Sequence, residues 1–256
     1  MISSPIIDDD KRKIISLFDS KVRGKKSDTT KVNALHDGKD GHWLETQMGL
    51  KHNKSNSPDL YGYEMKNHTR SKTTFGDWSA DYYLYKDQAN NLTRDEFIGI
   101  FGKSNPEKKG RFSWSGEPFP KVGNYNNFGQ IMKIDNENNI IAYYSYSKDN
   151  RTEKNILVPV DFQKEELVLA KWEMESIKNK LEKKFNKKGW FKCLKNKNNI
   201  YESIVFGEPV TFDSWIVGVK EGIIFLDSGM YQINKRPYSN WRANNDYWEK
   251  LITERY

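Results

Sequence analysis

The sequence predicts an α+β fold, with helices and β-strands in one chain, and three observations support this prediction. Residues 8–23 and 165–185 carry apolar side chains at three- and four-residue intervals, the pattern of amphipathic helices. The middle of the chain holds short runs of aromatic and β-branched residues between turn residues, the pattern of strands. With 256 residues, the chain is long enough for one large domain or for two lobes that share a core.

The individual elements follow from local signals. Asp8 to Asp10 supply the N-cap and the first-turn acids of the first helix, and Gly24 can end it. The second long helix is the clearest, since Gly189 follows its basic last turn. The predicted set comprises helices at 8–23, 41–50, 165–185 and 245–254, strands at 60–68, 82–85, 97–101, 131–134, 140–146, 200–206, 214–219 and 222–226, and a long loop at 102–129.

The charge balance suits a polyanionic partner without demanding one. The chain has 42 Lys and Arg against 35 Asp and Glu, which gives a net charge of +7 and a pI near 9.1. Basic side chains that neutralise phosphates release the counterions condensed on a nucleic acid. Since many basic proteins bind no nucleic acid, the charge only favours this class of partner.

Several features point to a cytoplasmic protein with no membrane partner. No stretch approaches the roughly 20 apolar residues that cross a bilayer, and the N-terminal residues lack the basic and apolar regions of a signal peptide. The single cysteine, Cys193, cannot pair within the chain and lies in an apolar run, so we interpret it as a small core residue. His36, His42 and His52 show no zinc-ligand spacing.

Residues 59–66 carry the chemistry that is most informative about function. Glu64 and Lys66 are two residues apart on a predicted strand and therefore face the same side, while Asp59 lies at the turn that enters the strand. Two carboxylates beside an ammonium favour a divalent cation, and Mg²⁺ prefers oxygen ligands and keeps waters that can attack a phosphodiester. We predict that Asp59, Glu64 and the main-chain carbonyl of Met65 bind Mg²⁺.

Lys66 and Glu45 complete the predicted catalytic group. Lys66 would position the attacking water or stabilise the charge that develops on phosphorus. Glu45, on the helix before the strand, would hold a metal-bound water or contact the lysine. The alternative is an ordinary surface strand with a Glu/Lys pair, because a pattern this short often arises by chance.

The context of these residues resembles the PD-(D/E)xK nucleases. Pro58 precedes Asp59 at a turn, and the successive intervals are 14 residues from Glu45 to Asp59, 5 from Asp59 to Glu64 and 2 from Glu64 to Lys66. Residues 41–45 and 66–69, the latter with Asn67 and His68 after the lysine, resemble the MutH-like branch of that superfamily, and above all the MvaI/BcnI group and type II restriction endonucleases of the LlaMI and ScrFI kind. The tail at 227–243 is similar to the same branch.

This resemblance implies a mixed sheet flanked by helices and two lobes around a DNA cleft. It places a catalytic lobe mainly in residues 1–110 and a recognition lobe mainly in 111–256. It implies a monomer that hydrolyses double-stranded DNA with Mg²⁺ at a short site, CCNGG-like by analogy with the group. It also implies a prokaryotic host with a cognate DNA methyltransferase. A monomer with one site has to cut the two strands in turn.

Two segments are predicted to contact DNA. The hydroxyl and basic groups after the catalytic strand suit phosphate contacts, whereas the arginine, asparagine and aromatic side chains near residue 240 suit base reading. An ordinary polar loop is the alternative for each, and the basic runs at 103–111 and 178–188 are interpreted as solvated. The candidates are His68, Arg70, Lys72 and Thr73 in the first segment and Arg236, Tyr238, Asn240, Trp241 and Arg242 in the second.

Two other functions stay open from the sequence. A MutH-like repair nuclease would nick a single strand and depend on partner proteins. A non-catalytic DNA-binding module would retain the motif without its activity, although the intact Asp59, Glu64 and Lys66 argue against that.

Overall fold

The computed structural model describes residues 8–28, 30, 39–50 and 56–256. His36 and His52 lie outside the described residues. The remaining predicted elements can be compared directly with the structure.

The chain contains helices and strands throughout, as the predicted α+β class requires. The helices are α1 (Asp9–Lys21), α2 (Lys39–Gln47), α3 (Arg94–Phe101), α4 (Lys154–Leu157), α5 (Met174–Phe185), α6 (Phe212–Lys220) and α7 (Asn245–Lys250). The strands are β1 (Glu64–Lys66), β2 (Lys72–Asp77), β3 (Tyr82–Tyr83), β4 (Lys103–Asn105), β5 (Arg111–Trp114), β6 (Phe128–Ile134), β7 (Ile140–Asp149), β8 (Leu167–Trp172), β9 (Trp190–Lys195), β10 (Tyr201–Gly207), β11 (Ile224–Ser228), β12 (Met230–Tyr231), β13 (Ser239–Asn244) and β14 (Ile252–Arg255).

The chain divides into two compact units that interleave along the sequence. Unit 1 comprises Met1–Thr73, Leu181–Thr211 and Asn244–Tyr256. Unit 2 comprises Thr74–Lys180 and Phe212–Ala243. Unit 1 therefore combines segments from the beginning, the later part and the end of the chain, and the predicted division into a catalytic lobe mainly at 1–110 and a recognition lobe mainly at 111–256 stays a prediction.

Unit 1 is built on a four-stranded sheet in the order β1-β9-β10-β14. Strand β1 pairs with β9 in parallel, and the remaining pairs are antiparallel. Helices α1 and α2 pack their apolar stripes against one side of this sheet, where Met65 of β1 joins the core. Ile14 and Phe18 of α1, Leu44 of α2 and Met48, which directly follows α2, are buried there. Their spacing is the one that predicted the helices.

Unit 2 contains sheets in the orders β3-β8-β7-β6, β11-β13-β2 and β12-β5-β4. Its core is rich in aromatic side chains. Trp215 packs edge-to-face against Phe75, and Trp241 lies between Trp172 and Trp215. Edge-to-face contacts of this kind add to the apolar burial that stabilises the unit.

Two predicted strands are helices in the structure. Residues 97–101 belong to α3, because Thr93 and Glu96 form a capping box that fixes the first turn. Residues 214–219 belong to α6, whose buried side chains recur at the helical spacing of Phe212, Trp215 and Val219. The capping box and the helical spacing are both present in the sequence, but the short apolar runs at 97–101 and 214–219 are also typical of strands and were interpreted as such.

The predicted helix at 165–185 is divided between a strand and a helix. Residues 167–172 form β8, and α5 begins only at Met174. The start is fixed by distant side chains: Asp81 accepts from the amide of Glu173 at 2.9 Å, and Asn139 accepts from the amide of Met174 at 2.9 Å. Unpaired amides at a helix start need such acceptors, and these come from elsewhere in the chain.

Other boundaries also shift. The predicted loop at 102–129 contains β4 and β5, and the predicted strand at 82–85 ends at Tyr83, where a 3₁₀ turn begins. The closing helix stops at Lys250, and the last residues form β14 at the edge of the unit 1 sheet. Among the helices of the described residues, none is long and apolar enough to cross a membrane.

Cys193 is a core residue, as the sequence predicted. Its side chain is fully buried in unit 1, and burial raises the pKa of its thiol. Since the thiolate is the reactive form, we expect native protein not to react with DTNB in the time that labels an exposed cysteine completely. After unfolding in guanidinium chloride, one thiol should react. Rapid labelling of the native protein would show that the core around Cys193 opens readily.

Candidate active site

A tight turn places Asp59 beside the strand that follows it. Leu60 and Tyr63 exchange two main-chain hydrogen bonds, of 3.0 and 2.7 Å. The central residues of the turn, Tyr61 and Gly62, have φ of 48° and 88°, a left-handed conformation that glycine adopts without strain. The chain therefore reverses within four residues. Oδ2 of Asp59 accepts a hydrogen bond from the amide of Met65 at 2.9 Å.

Strand β1 directs Glu64 and Lys66 to one face and Met65 to the other. Met65 enters the apolar core, so the alternation of the strand puts the carboxylate and the ammonium together on the opposite side. Both are nonetheless buried, with 3% and 7% of their surface exposed. The predicted convergence of these two side chains is present.

The carboxylate of Glu64 is held by two lysines on one of its oxygens. Nζ of Lys66 donates to Oε1 at 2.9 Å, and Nζ of Lys184 lies 3.0 Å from the same oxygen. The second oxygen, Oε2, is buried and has no hydrogen-bond partner among the described residues. A buried oxygen of this kind is unfavourable unless another group contacts it.

The local charges shift the pKa values of both neighbours of Glu64. Desolvation and then the charge of Glu64 raise the pKa of Asp59 to about 6, although one side of Asp59 remains exposed to solvent. Burial lowers the pKa of Lys66 to about 8, against the attraction of Glu64. The two shifts mean that the charged forms of Asp59 and Lys66 are less favourable in this site than in water, although both groups remain mainly charged at neutral pH.

These residues fit a divalent cation. The oxygens of Asp59 and Glu64 are the donors that Mg²⁺ prefers, and the orphaned Oε2 of Glu64 is placed to accept one more contact. Among the described residues, no group of three or more His, Cys, Asp or Glu side chains forms a metal cluster. The cation would therefore depend on two carboxylates, main-chain oxygen and water.

Lys192 is a buried basic group next to this site that the sequence did not reveal. It lies opposite Lys66 in the parallel pairing of β1 with β9, and it is 2% exposed. Its Nζ donates to Oγ1 of Thr73 at 3.3 Å, and burial lowers its pKa. In the sequence, Lys192 follows the apolar residues Trp190 and Phe191, a context that predicts a core strand and gives no sign of a buried lysine beside the site.

Glu45 lies on α2, with 34% of its side chain exposed. Its carboxylate is 3.9 Å from Nδ1 of His42, one turn earlier. Because it forms no three-residue cluster with Asp59 and Glu64 in the described part of the chain, its predicted contact with a metal-bound water or with Lys66 stays a prediction.

Comparisons with known proteins show the family of this chain. The model of the LlaMI restriction endonuclease family matches residues 22–256. The chain is also 45% identical to the type II restriction enzyme ScrFI of Lactococcus lactis subsp. cremoris over 264 aligned residues, which cover 95% of this chain and 97% of that enzyme.

The chain belongs to the LlaMI restriction endonuclease family. This membership confirms the predicted class, a site-specific DNA endonuclease of the hydrolases, and the predicted group. A solved structure of the restriction endonuclease MvaI with its cognate DNA substrate superposes with a TM-score of 0.60 at 16% identity, covering 96% of this chain and 95% of MvaI. At that identity the likeness supports the fold, which is the mixed α+β architecture predicted.

One of the four residues after β1 that were predicted to contact DNA, Thr73, is buried. His68 and Arg70 are exposed, and Lys72 is half-buried, so these side chains can meet a phosphate. Thr73 is buried, and its hydroxyl is shared among Asn245, Thr69 and Lys192 within the protein. The prediction that Thr73 contacts DNA is therefore corrected: the hydroxyl has internal partners and no open surface.

His68 lies near two lysines of β9. Desolvation lowers its pKa, and the charges of Lys192 and Lys195 add to that effect. At neutral pH the imidazole is therefore less charged than that of a free histidine.

The second predicted segment divides along β13 by the alternation of the strand. Ser239, Trp241 and Ala243 face the core of unit 2, while Asn240 and Arg242 face the other side. Trp241 is fully buried between Trp172 and Trp215, so its prediction as a base-stacking residue is corrected to a core residue. Arg242 lies 3.2 Å from Asp227 across the strand pair.

Arg236 and Tyr238 precede β13 and are exposed. Arg236 lines an open cavity of about 700 Å³ in unit 2, together with Lys86, Arg94 and Lys235. Sequence reasoning missed Lys86 and Arg94, since they come from a segment more than 140 residues away. Asp95 also lines this cavity, so the charged side chains around Arg236 have a net positive charge.

The run of lysines at 178–188 is only partly a solvated face. Lys183 is exposed as predicted, but Lys184 contacts Glu64, and Lys188 lies 2.7 Å from both Asp8 and Asp10. The interpretation of the whole run as solvated is therefore wrong for these two residues. Lys184 lies three residues after the buried Leu181, at the edge of the apolar stripe of α5. This spacing is the feature of the sequence that could have predicted a partly buried lysine.

Proposed function

We propose that this chain is a type II restriction endonuclease that hydrolyses both strands of DNA at a short specific site with Mg²⁺. The observation that carries the proposal is the buried carboxylate of Glu64, with one oxygen orphaned among the described residues, beside Asp59 and Lys66. Such a carboxylate is stable when a cation completes it.

In the proposed site, Asp59, Glu64 and the main-chain carbonyl of Met65 hold the cation. When bound, Mg²⁺ would act as a Lewis acid and lower the pKa of a water molecule that it binds. Lys66 orients the attacking water or neutralises charge on the phosphate, since its ammonium lies on the same face as Glu64. Glu45 supports the site from α2 through a water.

DNA recognition is proposed for the exposed and half-buried groups of the two predicted segments. His68, Arg70 and Lys72 hold phosphates near the site. Arg236, Tyr238, Asn240 and Arg242 read bases, helped by the basic cavity around Arg236. The resemblance to the MvaI/BcnI group favours a CCNGG-like target, a monomeric enzyme that cuts the strands in turn, and a host methyltransferase that protects the same sequence.

The test is cleavage of unmethylated phage DNA by the purified protein with Mg²⁺, followed by sequencing of the ends. We expect discrete double-strand fragments whose ends share one short sequence, and no fragments in EDTA. Nicks without double-strand breaks would support the repair interpretation instead. Tight specific binding without cleavage at any site would overturn the proposal.

A further inference from the structure

Lys184 occupies a position in the catalytic group that the proposed mechanism leaves unexplained. It comes from the last turn of α5, and its Nζ lies 3.0 Å from Oε1 of Glu64. The side chain of Lys184 is 20% exposed, while that of Glu64 is 3% exposed. A partly exposed lysine thus contacts a buried carboxylate.

The charges of this group balance without a metal. Asp59 and Glu64 supply two carboxylates, and Lys66 and Lys184 supply two ammonium groups. Adding a divalent cation to a neutral group leaves two excess positive charges in a partly buried site, which is unfavourable. One ammonium therefore has to withdraw, unless a substrate phosphate compensates for it.

Of the two lysines, Lys184 is the one that can withdraw. Lys66 is 7% exposed and lies over the ring of Phe185 at 4.7 Å, so its ammonium is enclosed by the core. Lys184 lies in the last turn of α5, and its ammonium is carried on a flexible four-carbon chain that is already partly exposed to solvent. Rotation of its side chain moves the ammonium away from Glu64 without a change in the main chain.

We propose that Lys184 is an internal counter-ion of Glu64, which holds the carboxylate in the metal-free protein and competes with the divalent cation for it. The proposal rests on the function proposed above, because it takes Glu64 as a metal ligand. Lys184 is then a positioning residue. It keeps Glu64 in its rotamer before metal binds, and it weakens metal binding until DNA arrives with its own negative charge.

The experiment is isothermal titration of Mg²⁺ into the DNA-free protein, comparing wild type with Lys184→Met. Methionine keeps the apolar stem and removes the competing charge. We expect the variant to bind Mg²⁺ about tenfold more tightly, which corresponds to about 1.4 kcal/mol. The metal-free variant should melt at a lower temperature than wild type, and Mg²⁺ should raise its melting temperature further than it raises that of wild type.

Three variants make the result specific. Lys183→Met removes an exposed lysine next in sequence and should leave Mg²⁺ affinity unchanged. Lys184→Arg keeps the cation and should restore the wild-type affinity. If Lys184→Met does not fold, Lys184→Gln, which keeps a hydrogen-bond donor without the charge, takes its place in the same comparison.

The outcomes separate this proposal from the proposed function. Equal or weaker Mg²⁺ binding by Lys184→Met, including no measurable binding by either protein, would overturn the role of Lys184 while cleavage with Mg²⁺ stands. If Glu64→Gln binds Mg²⁺ as wild type does and still cleaves, Glu64 is not a ligand, and the proposed site itself fails.

Discussion

Replacing Lys66 by alanine is expected to reduce DNA cleavage by about 100- to 1,000-fold, the typical effect of removing one preorganised charge from an active site. The ammonium of Lys66 lies 2.9 Å from Oε1 of Glu64 and faces the same side as the proposed cation. Without it, the attacking water loses its partner, and the charge on phosphorus is no longer neutralised. The measurement is single-turnover cleavage of a cognate duplex with saturating Mg²⁺.

Binding provides the control for this loss. Lys66→Ala should still bind the cognate duplex specifically when Ca²⁺ replaces Mg²⁺, because the proposed base-reading side chains lie elsewhere in the chain. Lys183→Ala, which removes an exposed lysine, should cleave at the wild-type rate. Cleavage by Lys66→Ala at close to the wild-type rate would mean that another lysine, with Lys184 or Lys192 as the nearest choices, performs this step.

The positions of Asp59, Glu64 and Lys66 could be predicted from the sequence because a turn and a strand within the same short segment determine them. A proline and a glycine around a four-residue turn bring Asp59 back to the strand, and the alternation of the strand puts Glu64 beside Lys66. Each relation lies within eight residues, so spacing alone reveals it. The same holds for α1, whose Asp8 cap and apolar stripe are contiguous.

The parts that were missed depend on contacts between distant segments. Lys184 and Lys192 reach the site from more than 110 residues away in sequence, one from a helix end and one from a neighbouring parallel strand. The start of α5 is likewise fixed by Asp81 and Asn139, which no local pattern announces. The wrong prediction of a strand at 97–101, which is part of α3, has a different cause. Thr93 and Glu96 are a helix-start signal in the sequence, but the apolar run after them was interpreted as a strand.

Trp241→Ala is expected to destabilise the protein by about 3–5 kcal/mol, as large-to-small changes in packed cores do. Its indole is fully buried, with ring centroids 5.7 Å from Trp172 and 5.1 Å from Trp215, both edge-to-face. Removal leaves a cavity at the centre of the aromatic core of unit 2 and should lower the thermal midpoint by roughly 10 °C. Guanidinium chloride unfolding followed by circular dichroism measures the change.

Two comparison variants separate stability from recognition at this segment. Trp241→Phe keeps a ring and removes an indole nitrogen that has no partner among the described residues, so it should lose less stability than Trp241→Ala. Arg236→Ala removes an exposed side chain, and its stability should stay within about 0.5 kcal/mol of wild type. If Arg236 reads a guanine, its loss should weaken specific binding by about 1–3 kcal/mol. A Trp241→Ala protein of unchanged stability that fails to recognise its site would instead assign the tryptophan to base reading, which its burial in the core of unit 2 opposes.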